Sequence, residues 1–192
     1  LVVEGHVFTT DALLTQRELA REILDRGGDF VFIVKRNQPQ LYEDIEFLFE
    51  PPLPLLKGES WPTAETVDFG HGRIERRCLQ ASTMLNEYVN WPGVEQVFKL
   101  ERQVVKKKTG EVTTQTVYGI TSLSEEEADA EQLLTFVRQH WHIENKSHWV
   151  RDVTFDEDRS QVRQGRLPHV MATLRNTVIS LLRAHGINRI AK

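Results

Sequence analysis

Five consecutive apolar residues, Phe30-Val31-Phe32-Ile33-Val34, sit between Asp29 and Lys35. A strand with one wet face alternates apolar and polar side chains, so a strand of this composition has to be covered on both faces. Ahead of it, Val7-Phe8-Thr9-Thr10 reads as a second short strand, β-branched and aromatic. From Thr15 to Arg26 the chain holds helix formers with apolar Leu19, Ile23 and Leu24, Thr15 is the best-placed cap, and Gly27-Gly28 ends the run. Strand, helix and strand within residues 7–34 predict a parallel pair joined by a crossover helix, hence an α/β fold.

The chain then changes character. Asn37-Gln38-Pro39 breaks the pattern, Leu41 to Phe49 predicts a short helix with an acidic outer face, and Pro51-Pro52-Leu53-Pro54 predicts a loop. Thr63–Asp68, Arg73–Ser82, Gln96–Lys106 and Val112–Ser122 read as strands, separated by turn chemistry at Gly70, Gly72, Asn90-Trp91-Pro92-Gly93 and Lys108-Thr109-Gly110. Ser124-Glu125-Glu126-Glu127 has the form of a capping box and predicts a helix running to about Trp149. Pro168 opens another, through Met171, Leu174, Val178, Leu181 and Leu182 to Gly186. The organisation expected is a strand–helix–strand piece of a core over 1–36, a β-rich insertion over 37–122, and C-terminal helices of the core over 123–192.

No apolar run approaches the roughly 20 residues that cross a bilayer, so a spanning helix is excluded. A lone cysteine, Cys78, excludes an internal disulfide framework and a multi-cysteine zinc site, and points to a reducing, cytoplasmic setting. The net charge of −4 does not announce a partner, but its distribution is uneven. Seven of the 24 Lys and Arg lie between Arg159 and Lys192, where there is no acid; all 28 acids precede them. Such a segment suits either a solvated helix face or a contact with a polyanion. The sequence opens without a methionine and runs directly into a strand, so a segment of a longer protein is expected.

Two carboxylates stand out. On the helix predicted to end near Trp149, Leu134, Val137, Trp141, Glu144 and His148 follow the three- and four-residue spacing of one face. Glu144 thus falls on an apolar stripe, where a carboxylate has to be paired, hydrogen-bonded or metal-bound. Asp11 falls at the carboxyl end of a core strand, where open α/β sheets place their sites, and no structural task for it is visible in the sequence. Carboxylates at a strand end and on a helix suit hard divalent cations such as Mg²⁺, which serve phosphoryl transfer. His140, Glu144 and His148 share a face, but their spacing lacks the His-Glu-x-x-His pattern of zinc hydrolases.

Several motifs, in order, resemble the DDE transposases of bacterial insertion sequences. They are Thr10-Asp11-Ala12-Leu13-Leu14-Thr15-Gln16; Gly27-Gly28-Asp29-Phe30-Val31 with Val34-Lys35-Arg36-Asn37-Gln38; Gly70-His71-Gly72-Arg73-Ile74-Glu75-Arg76-Arg77; Tyr118-Gly119-Ile120-Thr121-Ser122-Leu123; and His140-Trp141-His142-Ile143-Glu144-Asn145. Asp152-Val153-Thr154-Phe155-Asp156-Glu157-Asp158 and Leu174-Arg175-Asn176 complete the set. The nearest group is the IS-four-like one with a His-Gly-Arg-Ile-Glu strand. The resemblance implies a partial RNase H-like (DDE) core with a β-rich insertion before the last catalytic helix. It also implies Mg²⁺ (or Mn²⁺), DNA as partner (transposon ends and target), and a homodimer in the complete enzyme. In that family three acids hold two metal ions and catalyse DNA strand cleavage and joining. Asp11 matches the second acid and Glu144 the third; the first lies on an opening strand upstream of this chain. Arg151 fills the basic position seven residues after the glutamate, whereas Val137 and His140 depart from the earlier signature positions. The expectation is a C-terminal portion that binds Mg²⁺ weakly and is inactive alone.

DNA contacts are expected from Arg151 and His148, from Lys35, Asn37 and Gln38 after the second core strand, and from His71 and Arg73 in the insertion. Trp149 could stack a flipped or terminal base, or pack in the core. A degenerate DNA-binding remnant and an RNase H-like nuclease stand beside the transposase reading at this point.

Overall fold

The computed structural model describes residues 2–50, 61–70, 72–143, 154–156, 159–185 and 187. The chain divides into two compact units, Leu1–Val137 and Arg138–Lys192.

The first unit opens with strand β1 (Val7–Thr10), helix α1 (Arg17–Asp25) and strand β2 (Asp29–Val34). β1 and β2 are parallel, with Val7 opposite Asp29 and Thr10 opposite Phe32, as the crossover pattern predicts. Phe30 to Val34 are all buried, so the apolar run is covered on both faces. α1 starts two residues later than expected. Its N-cap is Gln16, with no side-chain capping bond. Thr15 does not cap because its hydroxyl is spent elsewhere, donating to the Ile33 carbonyl at 2.7 Å. α1 ends where Gly27 takes a φ of +72°, a left-handed conformation that favours glycine.

Helix α2 (Pro39–Phe49) follows, then strands β3 (Thr63–Gly70), β4 (Arg73–Ser82), β5 (Gln96–Lys106) and β6 (Val112–Thr121). β4 and β5 have the bounds expected from the sequence; β3 is longer by two residues and β6 shorter by one. All six strands form one sheet in the order β1-β2-β6-β5-β4-β3. β6 returns beside β2, antiparallel, with Val31 opposite Thr121 and Val34 opposite Tyr118. The strands of segment 37–122 therefore continue the sheet begun by β1 and β2. The observed class is mixed α/β.

One face of the sheet presents Phe30, Phe32, Val34, Val97, Tyr118 and Ile120 to Ala20 and Ile23 of α1 and to Leu41, Ile45 and Phe49 of α2. Truncating a phenylalanine packed this way costs about 3–5 kcal/mol. The end of α2 is pinned by Glu50, whose carboxylate takes the Tyr118 hydroxyl at 3.1 Å and Lys99 Nζ at 2.8 Å. On the other face Phe98 lies flat over Gly119, its partner across β5 and β6. A Cβ at Gly119 would meet Phe98 Cζ at 2.1 Å, so only glycine fits.

Burial stops partway along the long strands. In β6, Val117 to Thr121 are buried and Val112 to Thr116 exposed. From the register, β3 to β6 run past the carboxyl ends of β1 and β2 as a ribbon arm ending at Gly70, Arg73, Lys106 and Val112.

Ser124 and Glu127 make the reciprocal bonds of a capping box, Ser124 N–H to Glu127 Oε2 at 2.9 Å and Glu127 N–H to Ser124 Oγ at 3.3 Å. They close a turn, however, and helix α3 (Ala130–Ile143) begins behind a second box. There Gln132 N–H donates to Asp129 Oδ1 at 2.9 Å and Asp129 N–H to Gln132 Oε1 at 3.0 Å. The amide of buried Gln96 explains the delay: it donates to the carbonyls of Leu123 and Ala128, both at 2.9 Å, and fixes that stretch as a loop. Leu133, Leu134 and Val137 of α3 are buried, in line with the expected apolar stripe.

In the second unit, helix α4 (Leu167–Ala184) starts next to Pro168 as predicted. No helix among the described residues is long and apolar enough to cross a membrane.

Candidate active site

Asp11 is the first residue beyond β1. It is exposed, on the loop that leads to α1. It does have a local task that the sequence did not reveal: Asp11 Oδ1 accepts the Leu13 N–H at 3.0 Å. This is an Asx turn, in which a short carboxylate replaces a backbone acceptor. Leu14 N–H reaches the Asp11 carbonyl at 3.2 Å and Thr15 N–H the Ala12 carbonyl at 3.4 Å, so residues 11–15 form two overlapping turns. Among the described residues no donor reaches Asp11 Oδ2. That oxygen is an exposed hard donor of the kind Mg²⁺ takes. Asp11 thus fits as one ligand of a hard cation, while no group of three His, Cys, Asp or Glu converges among the described residues.

The loop after β2 adjoins it. Asn37 Nδ2 donates to the Ala12 carbonyl at 2.6 Å, and Gln38 Nε2 to the Thr15 carbonyl at 3.1 Å. Asp11, Asn37 and Gln38, singled out separately in the sequence, meet at one edge of the parallel pair. Lys35 is exposed at the same edge.

Arg73 is not part of this cluster. It begins β4 opposite Gly70 and Lys106, at the tip of the arm. Gln80 lies level with Val34 through Lys99 and Tyr118. Seven residue steps along β4 lead from Gln80 to Arg73, which at ~3.4 Å per residue puts the tip roughly 24 Å beyond the end of β2. His71, Glu144, His148, Trp149 and Arg151 lie outside the described residues.

The arm carries an ion cluster that a residue-by-residue reading of the sequence overlooks. Arg77 stands opposite Arg102, and Glu75 opposite Asp68, so like charges face each other across both ladders. Pairing therefore runs diagonally across the ladders, to Asp68 and from Arg102, and along β4 between residues two apart. Arg77 Nη2 bonds Glu75 Oε1 at 2.5 Å, Arg77 Nη1 bonds Asp68 Oδ2 at 2.6 Å, and Arg102 Nε also bonds Glu75 Oε1. Arg73 Nε approaches Glu75 Oε2 at 3.8 Å. Burial pushes the Glu75 carboxyl up, but the Arg102 hydrogen bond and the charges of Arg77, Arg102 and Arg73 outweigh it and hold the group below its usual range. The signal was present in Arg73-Ile74-Glu75-Arg76-Arg77, whose alternate residues share one face of a strand.

Fold and site together describe a mixed α/β domain that presents a carboxylate at the carboxyl edge of its parallel strands, with a charged ribbon arm beside it. The chain belongs to the transposase DDE domain family, which it matches over residues 2–181. It is 31% identical over 188 residues to the "Putative protein YbfL" of Escherichia coli K12. It is 30% identical over 188 residues to the "H repeat-associated putative transposase YhhI" of the same strain, and 29% identical over 189 residues to the "Putative transposase YncI" of E. coli O157:H7. Each alignment takes in 95% of this chain and 47–48% of the relative, so the chain spans about half the length of these curated relatives.

Proposed function

We propose that the chain is the C-terminal portion of a DNA transposase that cleaves and joins strands at insertion-sequence ends, built on an RNase H-like core, with Asp11 and Glu144 as metal-binding catalytic acids. The observation that carries the proposal is the exposed Asp11 carboxylate at the carboxyl edge of β1, in a chain that matches the transposase domain along nearly its whole length. Bound Mg²⁺ or Mn²⁺ would supply charge neutralisation at the phosphate and activation of the attacking water or 3′-hydroxyl.

The residues divide the remaining work. Asp11 offers Oδ2 to the cation while its other oxygen is tied to Leu13 N–H. Arg151, seven residues after Glu144, clamps a DNA phosphate, and Lys35 meets the backbone beside Asp11. At about 3.4 Å per base pair, a duplex lying along the arm from Lys35 to Arg73 covers roughly seven base pairs, so Arg73 contacts DNA well away from the scissile bond, and His71 is assigned to DNA contact as well. His148 and Trp149 belong to the same proposed interface. The basic stretch from Arg159 to Lys192 adds phosphate contacts, and strand transfer with paired ends requires a homodimer of the complete protein. The site of action is the cytoplasm of the bacterial cell, at its DNA.

The test is a strand-cleavage and strand-joining assay on labelled insertion-sequence ends, with the longest reading frame that contains this chain. Loss of a metal ligand removes several kcal/mol of transition-state stabilisation, so Asp11→Ala and Glu144→Ala should each lower the rate roughly a thousandfold. An Asp11→Ala protein that cleaves as well as the parent refutes the assignment. Hydrolysis without joining transfers the reading to an RNase H-like nuclease, and Mg²⁺-independent DNA binding without cleavage transfers it to a non-catalytic DNA-binding protein.

A further inference from the structure

We infer that Asn37 and Gln38 are positioning residues for Asp11. Their side-chain amides reach from the end of β2 onto the Ala12 and Thr15 carbonyls, and so hold the loop that carries the carboxylate. The inference rests on the reading of Asp11 as a metal-binding acid.

The loop from Asp11 to Gln16 has no helical or sheet ladder of its own. Its internal bonds are long: Leu14 N–H to the Asp11 carbonyl and Thr15 N–H to the Ala12 carbonyl at 3.2 and 3.4 Å, the Thr15 hydroxyl to the Asp11 carbonyl at 3.2 Å, Gln16 Nε2 to the Leu13 carbonyl at 3.4 Å, and the Asx contact at 3.0 Å. Three side chains tie it to the neighbouring strand instead. Asn37 takes the carbonyl of Ala12, the residue next to Asp11. Gln38 takes the carbonyl of Thr15, at the far end of the loop. The Thr15 hydroxyl closes the third tie, onto Ile33 in β2. The amide orientations follow from the partners: a backbone carbonyl accepts only, so each amide nitrogen has to face it. One donor of each amide is thereby committed within the protein, and each amide oxygen, an acceptor that cannot bond a phosphate oxygen, is directed elsewhere. A purely DNA-contacting role, which the position of these residues in the sequence invites, leaves both bonds unexplained. A positioning role uses both. Outer residues that orient a metal-binding group typically change metal affinity by 10- to 100-fold when lost.

The experiment uses the ¹⁵N-labelled chain with Mn²⁺ alone as probe, read by paramagnetic broadening of backbone amides and, in parallel, by amide hydrogen exchange. In the parent, Mn²⁺ should broaden the amides of Ala12 and Leu13, and Asp11→Ala should abolish this. Asn37→Ala/Gln38→Ala should weaken the Mn²⁺ response about tenfold and speed exchange at Leu14 and Thr15, with β4 to β6 amides unshifted. If the double variant does not fold, each single variant carries the same test with a smaller effect. Exchange that speeds up while the Mn²⁺ response stays at the parental level makes the two amides loop supports only, and overturns the inference while Asp11 keeps its role. Broadening in the parent that survives Asp11→Ala, or is absent at Ala12 and Leu13, overturns the reading of Asp11 and the inference with it.

Discussion

Thr15 gives the sharpest test of how the candidate site is built. It is fully buried, and β1 stops at Thr10 opposite Phe32, so the Thr15 hydroxyl takes the Ile33 carbonyl one position further on, at 2.7 Å. Thr15→Val keeps the shape and removes the donor, so there is no cavity term. The buried carbonyl loses its partner, at about 1–3 kcal/mol. Thr15→Ser keeps the donor and removes one buried methyl, at about 1 kcal/mol. For a chain of this size each kcal/mol moves the midpoint about 2–4 °C, so at about 2 kcal/mol, the middle of its range, Val should lower Tm by about 4–8 °C, and Ser by about 2–4 °C. Urea unfolding followed by circular dichroism, with equal slopes for all three proteins, converts the shifts to free energies. If the serine variant proves less stable than the valine variant, packing rather than the hydroxyl anchors the loop, and the account of why Thr15 does not cap α1 fails.

Two further predictions concern the sheet. Gly119→Ala places a methyl against the Phe98 ring and should cost about 1–3 kcal/mol; Phe98→Leu in the same chain should recover part of that loss in a thermal melt, and no recovery would mean the clash lies elsewhere. Glu75 is held below its usual range in the folded chain, so its stabilisation is complete above its unfolded value, 4.5, and disappears as pH falls through the lower folded value. Glu75→Gln should therefore cost about 2 kcal/mol at pH 7, and the gap to the parent should close in melts below pH 4.5; a gap independent of pH would show that the arginines do not depend on its charge.

Much of the local structure was legible in the chain. Continuous apolar residues marked β2, strand chemistry and flanking turn residues bounded β4 and β5, and Gly27-Gly28 ended α1, because each depends on residues close in sequence. Asp11 was singled out by its place after a strand, and Asn37 and Gln38 by theirs after the next. What the sequence could not show was their meeting. The bonds from Asn37 to Ala12 and from Gln38 to Thr15 span 25 and 23 residues and exist only because β1 and β2 lie side by side.

The same limit explains the misplaced helix start. Ser124 with Glu127, and Asp129 with Gln132, are equally good capping boxes by local chemistry, and both sets of bonds form. The sequence by itself determined that α3 would start in this region and bury Leu134 and Val137. Tertiary structure decided where, because Gln96, on a strand 27 and 32 residues away, claims the carbonyls of Leu123 and Ala128. Tertiary structure also set β6 against β2 and so ran the arm past the edge that bears Asp11. A residue's own neighbours fix its propensity and its caps, whereas a buried polar group bonds whatever partner the fold brings within reach.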